Sequence, residues 1–434
     1  MNGPPSAPAQ PAIHSEGTVA QSLSQAARLW VLFIAFAGLV FAGLQLGLMA
    51  LASLSVSKSL LAAAYSNGLG GEWFARYTAA IMLGAGVGGI ALGWLGDRVG
   101  RTRAMGVSIL CYSLFGGLGA LVNTQEQLLV LRFLTGLGVG GMWPNGVALV
   151  SECWADVSRP MAAAIMGSAI NVGILLVSQL GRVRQVMPDS WRWLMVAGGS
   201  GAVLGVLALA IVPESPKWRA QRRSRQARGE GPRLSELFRR PLLRLTLVGI
   251  ALGAIPLIGA WASSKWMIPW ADQVAGAVRP GYKAATQGYW AAGAILGSFL
   301  GAHIANLLGR RVTYFLISLA SAALTCGIFL FIRPLQPAFL PMVFVQGFVA
   351  TLFFGWLPLY LPELFPTRVR ATGSGISYNF GRFASAAGVL ASGMLAQWSG
   401  GNFARVGGIS GLVYALGMLV IWWAPDTTER TMGS

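Results

Sequence analysis

The chain has 434 residues, of which 55% are hydrophobic and only 11% are charged, and its mean hydropathy is +0.61. These values leave too few polar side chains to cover a soluble globule of this size, so a water-soluble enzyme or binding domain is excluded and an integral membrane protein is predicted. The net charge of +18 would suggest a nucleic-acid partner in a soluble protein. Here most Lys and Arg residues fall on one side of the predicted topology, which is the positive-inside bias, and no nucleic-acid partner is expected.

The apolar stretches are continuous over about 20 residues, which predicts membrane-spanning helices and not a barrel. Residues 1–28 are rich in Pro, Ala, Ser and Gln and predict a disordered cytoplasmic tail without a signal peptide. Twelve spans follow, an even number that places both termini in the cytoplasm. They are predicted at 29–54, 74–96, 103–122, 127–150, 161–181, 191–212, 244–271, 284–307, 312–332, 337–361, 371–397 and 403–424.

A basic segment at 213–243 divides the spans into two sets of six, at 29–212 and 244–424. Residues 217–244 carry ten Lys and Arg residues, which mark this segment as a cytoplasmic linker. A second short cytoplasmic tail is predicted at 425–434. The three cysteines have no paired spacing, so no disulfide framework or metal site is predicted.

The two halves repeat one another at an offset of 211 residues. Glu152, Arg159 and Asn171 correspond in this way to Glu363, Arg370 and Arg382. The GDRVGR sequence at 96–101 is echoed by NLLGRR at 306–311, and PES at 213–215 by PDT at 425–427. The chain is therefore interpreted as a tandem duplication whose halves share one orientation.

On these motifs the chain resembles the major facilitator superfamily of secondary transporters, from about residue 29 to 430. It is most similar to the metabolite:proton symporter branch, which carries aromatic acids and sialic acid. The resemblance implies an all-α membrane fold of twelve helices in two six-helix bundles that rock around a central site. It also implies that loop charges latch the cytoplasmic side, with the alternative that they only set orientation and cap helices. The implied gating residues are Gly93, Asp97, Arg98, Arg101, Glu152, Arg159, Arg310, Glu363 and Arg370.

The chain departs from this branch in its acidic residues. Acid symporters of this kind carry aspartates in the first span, where this chain has Ala42-Gly43-Leu44-Gln45-Leu46. All fourteen Asp and Glu residues fall in tails, in loops or at span ends. No cofactor is expected except a proton as coupling ion, and proton symport, facilitated diffusion and anion exchange all stay open.

The basic residues complement this pattern, because Arg132, Lys265 and Arg382 fall within spans without a buried acid to neutralise them. Arg382 lies twelve residues beyond Arg370, roughly 18 Å along a helix and near the middle of the bilayer. Fixed positive charge at that depth favours an anionic substrate. Trp266, Trp270 and Trp290 are assigned to the interfacial belt. The predicted substrate-binding residues are Arg382, Lys265, Gln45, Asn171, Trp261, Tyr289, Gln346, Tyr378 and Asn379.

The leading hypothesis is a transporter of a small organic anion, of the carboxylate or aromatic acid type. It would work by alternating access, as a monomer, in the lipid bilayer of the inner or plasma membrane. A carrier of sugars or other neutral metabolites is the alternative within the superfamily, and a receptor or sensor without transport is the alternative outside it. No catalytic constellation occurs within the spans, so an enzyme is not predicted.

Overall fold

A computed structural model of the chain describes residues 23–154, 159–219, 234–366 and 369–428. The predicted tails and linker lie partly outside this range, at 1–22, 220–233 and 429–434. Within it, the first helix begins at Gln25, four residues before the predicted start of the first span. The side chain of Ser24 accepts a hydrogen bond from the backbone N–H of Ala27, which fixes that start.

Seven α-helices are described in the first half. They are α1 Gln25–Leu61, α2 Asn67–Val99, α3 Arg101–Leu118, α4 Gln125–Cys153, α5 Arg159–Val183, α6 Arg192–Gly199 and α7 Ala202–Ile211. Ser66 caps α2, and Thr124 forms a capping box with Gln127 at the start of α4. These polar caps satisfy backbone N–H groups at the points where the chain turns back into the bundle.

The second half follows a short 3-10 helix, Leu234–Phe238. Its helices are α8 Leu242–Ile258, α9 Met267–Ala275, α10 Tyr282–Leu308, α11 Arg310–Phe331, α12 Phe339–Glu363, α13 Arg370–Trp398, α14 Phe403–Gly411 and α15 Val413–Val420. Between α8 and α9 the backbone runs through a π-helical turn, Gly259–Ser263, and a 3-10 turn, Ser264–Trp266. This interrupted stretch positions part of the candidate site.

Eleven helical segments of the described chain are long and apolar enough to cross a membrane. Each predicted span other than 371–397 coincides with one of them. Span 371–397 coincides with α13, whose 29 residues extend over about 44 Å. This helix is less apolar than the others because Ser377, Asn379 and Arg382 lie along it. The predicted all-α fold with twelve membrane helices is confirmed.

Close backbone contacts, here called the glycine seams, hold the helices of each half together. In the first half α2 packs on α4 through Gly84 and Gly136, where an added Cβ atom would collide with the backbone of the facing helix. In the second half α10 packs on α12 in the same way through Gly301 and Gly347. Gly136 and Gly347 are separated by the 211-residue offset of the repeat, so the duplication extends to the packing.

The two halves meet through α2 on α13 and α5 on α10. The end of the bundle from which residues 213–241 emerge is called the linker face, and the opposite end the distal face. Toward the distal face the halves are in contact: the ring of Phe74 lies edge-on to Trp266, 4.9 Å between centroids. A Cβ atom added at Gly71 would collide with the ring of Phe403. Toward the linker face, no atom of the residues that the structure describes lies within 4 Å of a Cβ added at Gly375 of α13.

Candidate functional site

A cavity of about 110 Å³ lies between the two halves. This volume is on the order of the roughly 150 Å³ cavity that holds benzene in an engineered protein, so it fits one small ring or a short chain. Both halves contribute to its walls, which are mostly apolar. The walls include five aromatic side chains and, besides these, five polar or charged side chains. The aromatic ones are Trp143, Trp261, Trp290, Phe354 and Tyr378, and the others are Asn171, Lys265, Ser298, Thr351 and Arg382. No Asp or Glu of the described chain lines it.

Lys265 reaches this cavity from the interrupted stretch between α8 and α9. Its side chain is 1% exposed, and its Nζ atom has no hydrogen-bond partner in the described part of the chain. The ammonium lies over the ring of Trp290, 3.5 Å from the centroid, and 5.6 Å from that of Trp261. Cation–π contact partly offsets the cost of burial, but the three donors of the ammonium are left free for an acceptor.

The ring beneath Lys265 is held by a network called here the Trp290 platform. Trp290 Nε1 donates to Gln346 Oε1 over 2.8 Å. The amide nitrogen of Gln346 donates in turn to Ser264 Oγ at 2.6 Å and Thr325 Oγ1 at 3.1 Å. Since Ser264 precedes Lys265 in the chain, one buried amide fixes both the ring and the backbone that carries the ammonium.

Arg382 lines the same cavity from α13 and connects the two halves. Its Nη1 atom donates to the backbone oxygen of Ala85 in α2 over 2.9 Å and lies 3.5 Å from Asn379 Oδ1. The guanidinium carbon is 5.2 Å from the centroid of the Tyr378 ring. One of its five N–H donors is therefore engaged by the other half, while further donors can reach an anion in the cavity.

Asn171 forms a second polar connection between the halves. Its amide nitrogen donates to Ser298 Oγ over 3.0 Å and lies 3.5 Å from the backbone oxygen of Ala294 in α10. Five of the nine predicted substrate-binding residues thus line one cavity, namely Asn171, Trp261, Lys265, Tyr378 and Arg382. Their function in binding stays a prediction.

The other four lie outside the cavity lining. Gln45 is fully buried within the first half, where it accepts hydrogen bonds from Arg132 through its side-chain oxygen at 3.3 Å and its backbone oxygen at 2.6 Å. Gln346 is the buried amide of the platform. Tyr289 is 43% exposed, and Asn379 bonds to Gly375 of its own helix at 3.0 Å.

Trp266, Trp270 and Trp290, assigned from the sequence to the interfacial belt, are buried. That assignment is wrong. Trp290 forms a cavity wall, and Trp266 donates from Nε1 to Ser392 Oγ over 3.1 Å within the bundle. The position of a tryptophan along a helix gives its depth, whereas the rotation of the helix decides whether it faces lipid or protein.

Two predicted gating residues of the first half, Asp97 and Glu152, surround Arg101 at the linker face. Its guanidinium pairs with Asp97 at 2.6 Å and with Glu152 at 3.6 Å. Its backbone N–H donates to Glu214 Oε1 at 2.9 Å. Arg98 lies over the ring of Trp94, 4.1 Å from the centroid.

Gly93 is not required for close helix packing, since an added Cβ atom would lie 3.6 Å from Pro144, an ordinary van der Waals distance. The closer approach of α2 and α4 is at Gly96, where an added Cβ atom would collide with the side chain of Asn145. The side chain of Arg159 lies outside the described residues.

The second half repeats this arrangement. Arg310 pairs with Glu363 through two bonds of 2.9 Å and 3.3 Å, and Thr427 Oγ1 donates to the same carboxylate at 2.5 Å. Arg370 instead donates to the backbone oxygen of Phe365 at 3.3 Å. The ion pairs described at the linker face join helices of one half, and none joins the two halves. Their action as a latch between the halves stays a prediction.

A model of the Major Facilitator Superfamily matches residues 68–276 of the chain. The "Probable 4-methylmuconolactone transporter" of Cupriavidus pinatubonensis is 31% identical over 346 residues, which cover 79% of this chain and 79% of that protein. The chain belongs to the major facilitator superfamily. As a member, it is a multi-pass membrane transporter, and the family predicted from its motifs is confirmed.

Two further proteins are similar to this major facilitator protein. The "Cis,cis-muconate transport protein" of Acinetobacter baylyi is 30% identical over 327 residues, covering 74% of this chain and 77% of that one. Among solved structures, a D-xylose-proton symporter superposes with a TM-score of 0.72 at 16% identity, covering 93% of this chain and 99% of that one. At that identity the likeness shows the fold alone.

Proposed function

We propose that this major facilitator protein carries a small organic anion across the membrane by alternating access. The observation that carries the proposal is Lys265, a buried ammonium at the cavity wall without a hydrogen-bond acceptor in the described chain. Burying an unpaired charge costs several kcal/mol, and no Asp or Glu among the described lining residues neutralises it. An anionic substrate supplies the missing partner.

Arg382 is proposed as the second contact to the anion. A guanidinium keeps its charge and presents parallel N–H groups that match a carboxylate. The aromatic walls suit an unsaturated or ring-containing carbon skeleton, and the cavity volume of about 110 Å³ limits it to a small one. The names of the two relatives, which concern 4-methylmuconolactone and cis,cis-muconate, agree with an organic acid of this size.

We further propose the topology that goes with this function. The linker face is cytoplasmic, since the basic segment follows the positive-inside rule, and the two halves at 29–212 and 244–424 move against each other as a monomer in the cell membrane. Because the halves are in contact on the distal side, a state that faces the cytoplasm is proposed for this structure.

Flux into proteoliposomes tests the proposal. Purified protein is reconstituted, and uptake of labelled small organic acids is compared with uptake of sugars. We expect the protein to take up a labelled organic acid. Other organic acids should compete with this uptake, and sugars should not. Arg382→Ala should abolish it while membrane insertion is retained. Competition by sugars alone would favour the neutral-metabolite carrier, and binding without flux would favour a receptor.

The same vesicles test coupling. An imposed pH gradient should change the initial rate of uptake if a proton is the coupling ion. A rate that is indifferent to the gradient would assign the protein to facilitated diffusion or anion exchange.

A further inference from the structure

A second buried lysine lies near the distal face, away from the cavity lining. Lys283, in the first turn of α10, is 4% exposed. Its Nζ atom lies 3.0 Å from Asp272 Oδ2, 3.0 Å from the backbone oxygen of Val186 and 3.2 Å from Ser55 Oγ. All three donors of the ammonium therefore have acceptors, in contrast to Lys265.

The three acceptors are divided between the two halves of the protein. Asp272 belongs to α9 and thus to the same half as Lys283. Ser55 in α1 and Val186 between α5 and α6 belong to the other half, and Ser55 Oγ also donates to Val186 O over 2.9 Å. The ammonium joins the halves at the end of the bundle where they are already in contact.

We propose that Lys283 is a charged lock that keeps the distal face closed and is released when the transporter opens to that side. The inference rests on alternating access in the proposed function. It does not depend on which substrate is carried.

The division of acceptors makes the lock reversible. When the halves separate at the distal face, Lys283 loses Ser55 and Val186, while Asp272 travels with it in its own half. The ammonium is then still paired, and water in the opened vestibule replaces the two lost acceptors. Asp272 keeps the ammonium paired in both positions of the halves, so only the two cross-half hydrogen bonds change on opening.

Other charged and titratable groups near this site come from several elements. Lys58, in the last turn of α1, is exposed, and its ammonium lies 5.6 Å from the ring centroid of Tyr65. Burial and the carboxylate of Asp272 raise the pKa of Tyr65 to about 12, so that residue adds no charge near neutral pH. The positive charge of Lys58 repels the ammonium of Lys283, so Lys58 is not an independent control. Arg279 is exposed in the loop before α10 and makes no side-chain hydrogen bond or ion pair in the described part of the chain, and it provides the matched control.

Thiol accessibility tests the lock without any substrate. In a background with the three native cysteines replaced by serine, Ser178→Cys reports on the distal side. Ser178 is buried on α5, and its Cβ lies 3.6 Å from a Cβ added at Gly288 of α10. Gly375→Cys reports on the linker side, where the new side chain meets no atom within 4 Å.

Lys283→Met should speed labelling of the distal reporter on the order of tenfold and slow labelling of the linker-side reporter, because the cross-half hydrogen bonds are lost. Arg279→Met should change neither rate. A Lys283→Met protein that elutes as folded and labels like the parent would refute the lock.

Ser55→Ala covers the case in which Lys283→Met does not fold. It removes one cross-half acceptor and leaves the ion pair intact, so a smaller increase in distal labelling is expected, and an unchanged rate would again refute the lock. The assay also separates this inference from the proposed function. A failure of organic-acid uptake leaves the labelling rates unaffected, whereas equal labelling in all variants leaves the uptake result standing.

Discussion

Substitution of Lys265 by methionine should separate ligand binding from stability. Methionine has a similar length and no charge, so it can occupy the same space over Trp290. If the anion takes a charge-assisted hydrogen bond from Lys265, its loss costs about 1.5–3 kcal/mol, which weakens binding roughly 10- to 100-fold. The folded protein itself should not suffer, because the ammonium of Lys265 has no described hydrogen-bond partner to lose.

Lys283→Met is the matched control for stability. It removes a lysine of the same half that is also buried but has three hydrogen-bond acceptors. The free energy of unfolding should therefore fall by about 1–3 kcal/mol. Binding is measured by titration of a transported organic acid, and stability by the apparent unfolding temperature in detergent without ligand. An unchanged affinity in Lys265→Met would remove this residue from the site. A loss of stability as large as that of Lys283→Met would show that Lys265 has a partner after all.

Three further substitutions test the supporting structure. Gln346→Leu should weaken anion binding several-fold, because Trp290 loses the hydrogen bond that holds its ring. Gln45→Leu, outside the cavity, should lower the unfolding temperature and leave the affinity for the anion unchanged. Equal effects of the two substitutions on affinity would contradict the placement of both amides. Glu214→Ala should destabilise the protein by about 1 kcal/mol in thermal unfolding, because it uncaps the start of α3; no shift would refute the capping. Gly136→Val should abolish the monodisperse peak in size-exclusion chromatography, while Gly281→Ala, which meets no atom within 4 Å, should retain it; a normal Gly136→Val peak would refute the close packing.

The helices could be predicted from the sequence because each span is a long apolar run bounded by charges, a signal that depends on length alone. The depth of a polar residue in the membrane follows from the number of residues between it and the end of its span. Arg382, a lone cation near the middle of its span, had to face a cavity or a partner. Lys265, six residues from the end of its predicted span, could also have reached the membrane surface. Both line the cavity.

The direction of a side chain around its helix could not be predicted in this way. Helices that are apolar on all sides have no stripe that marks the face turned to the protein. Tyr289 and Trp290 are neighbours in α10, yet the first is exposed and the second lines the cavity. Gln45 was predicted to lie at the depth of the site, but it turns inward to Arg132, a contact between residues 87 positions apart.

The pairing of Lys283 with Asp272 was missed for a different reason. Both residues fall in the loop between the predicted spans 244–271 and 284–307, where charges ordinarily face water. The tight reversal between α9 and α10 brings them together, and the other half covers them. Opposite charges on the two sides of a short hairpin between spans are a signal that could have indicated the pair.

The glycine seams determine which parts of the transporter can deform. Where two backbones touch directly, no side chains lie between them to change rotamer, so neighbouring helices cannot slide without breaking the contact. Each half should therefore deform less than the boundary between the halves, where side chains such as Phe74, Trp266 and Lys283 form contacts that can be broken and remade. A compound designed to inhibit this carrier should therefore bind between the two halves. A ligand bound within one half would not block the relative movement of the halves.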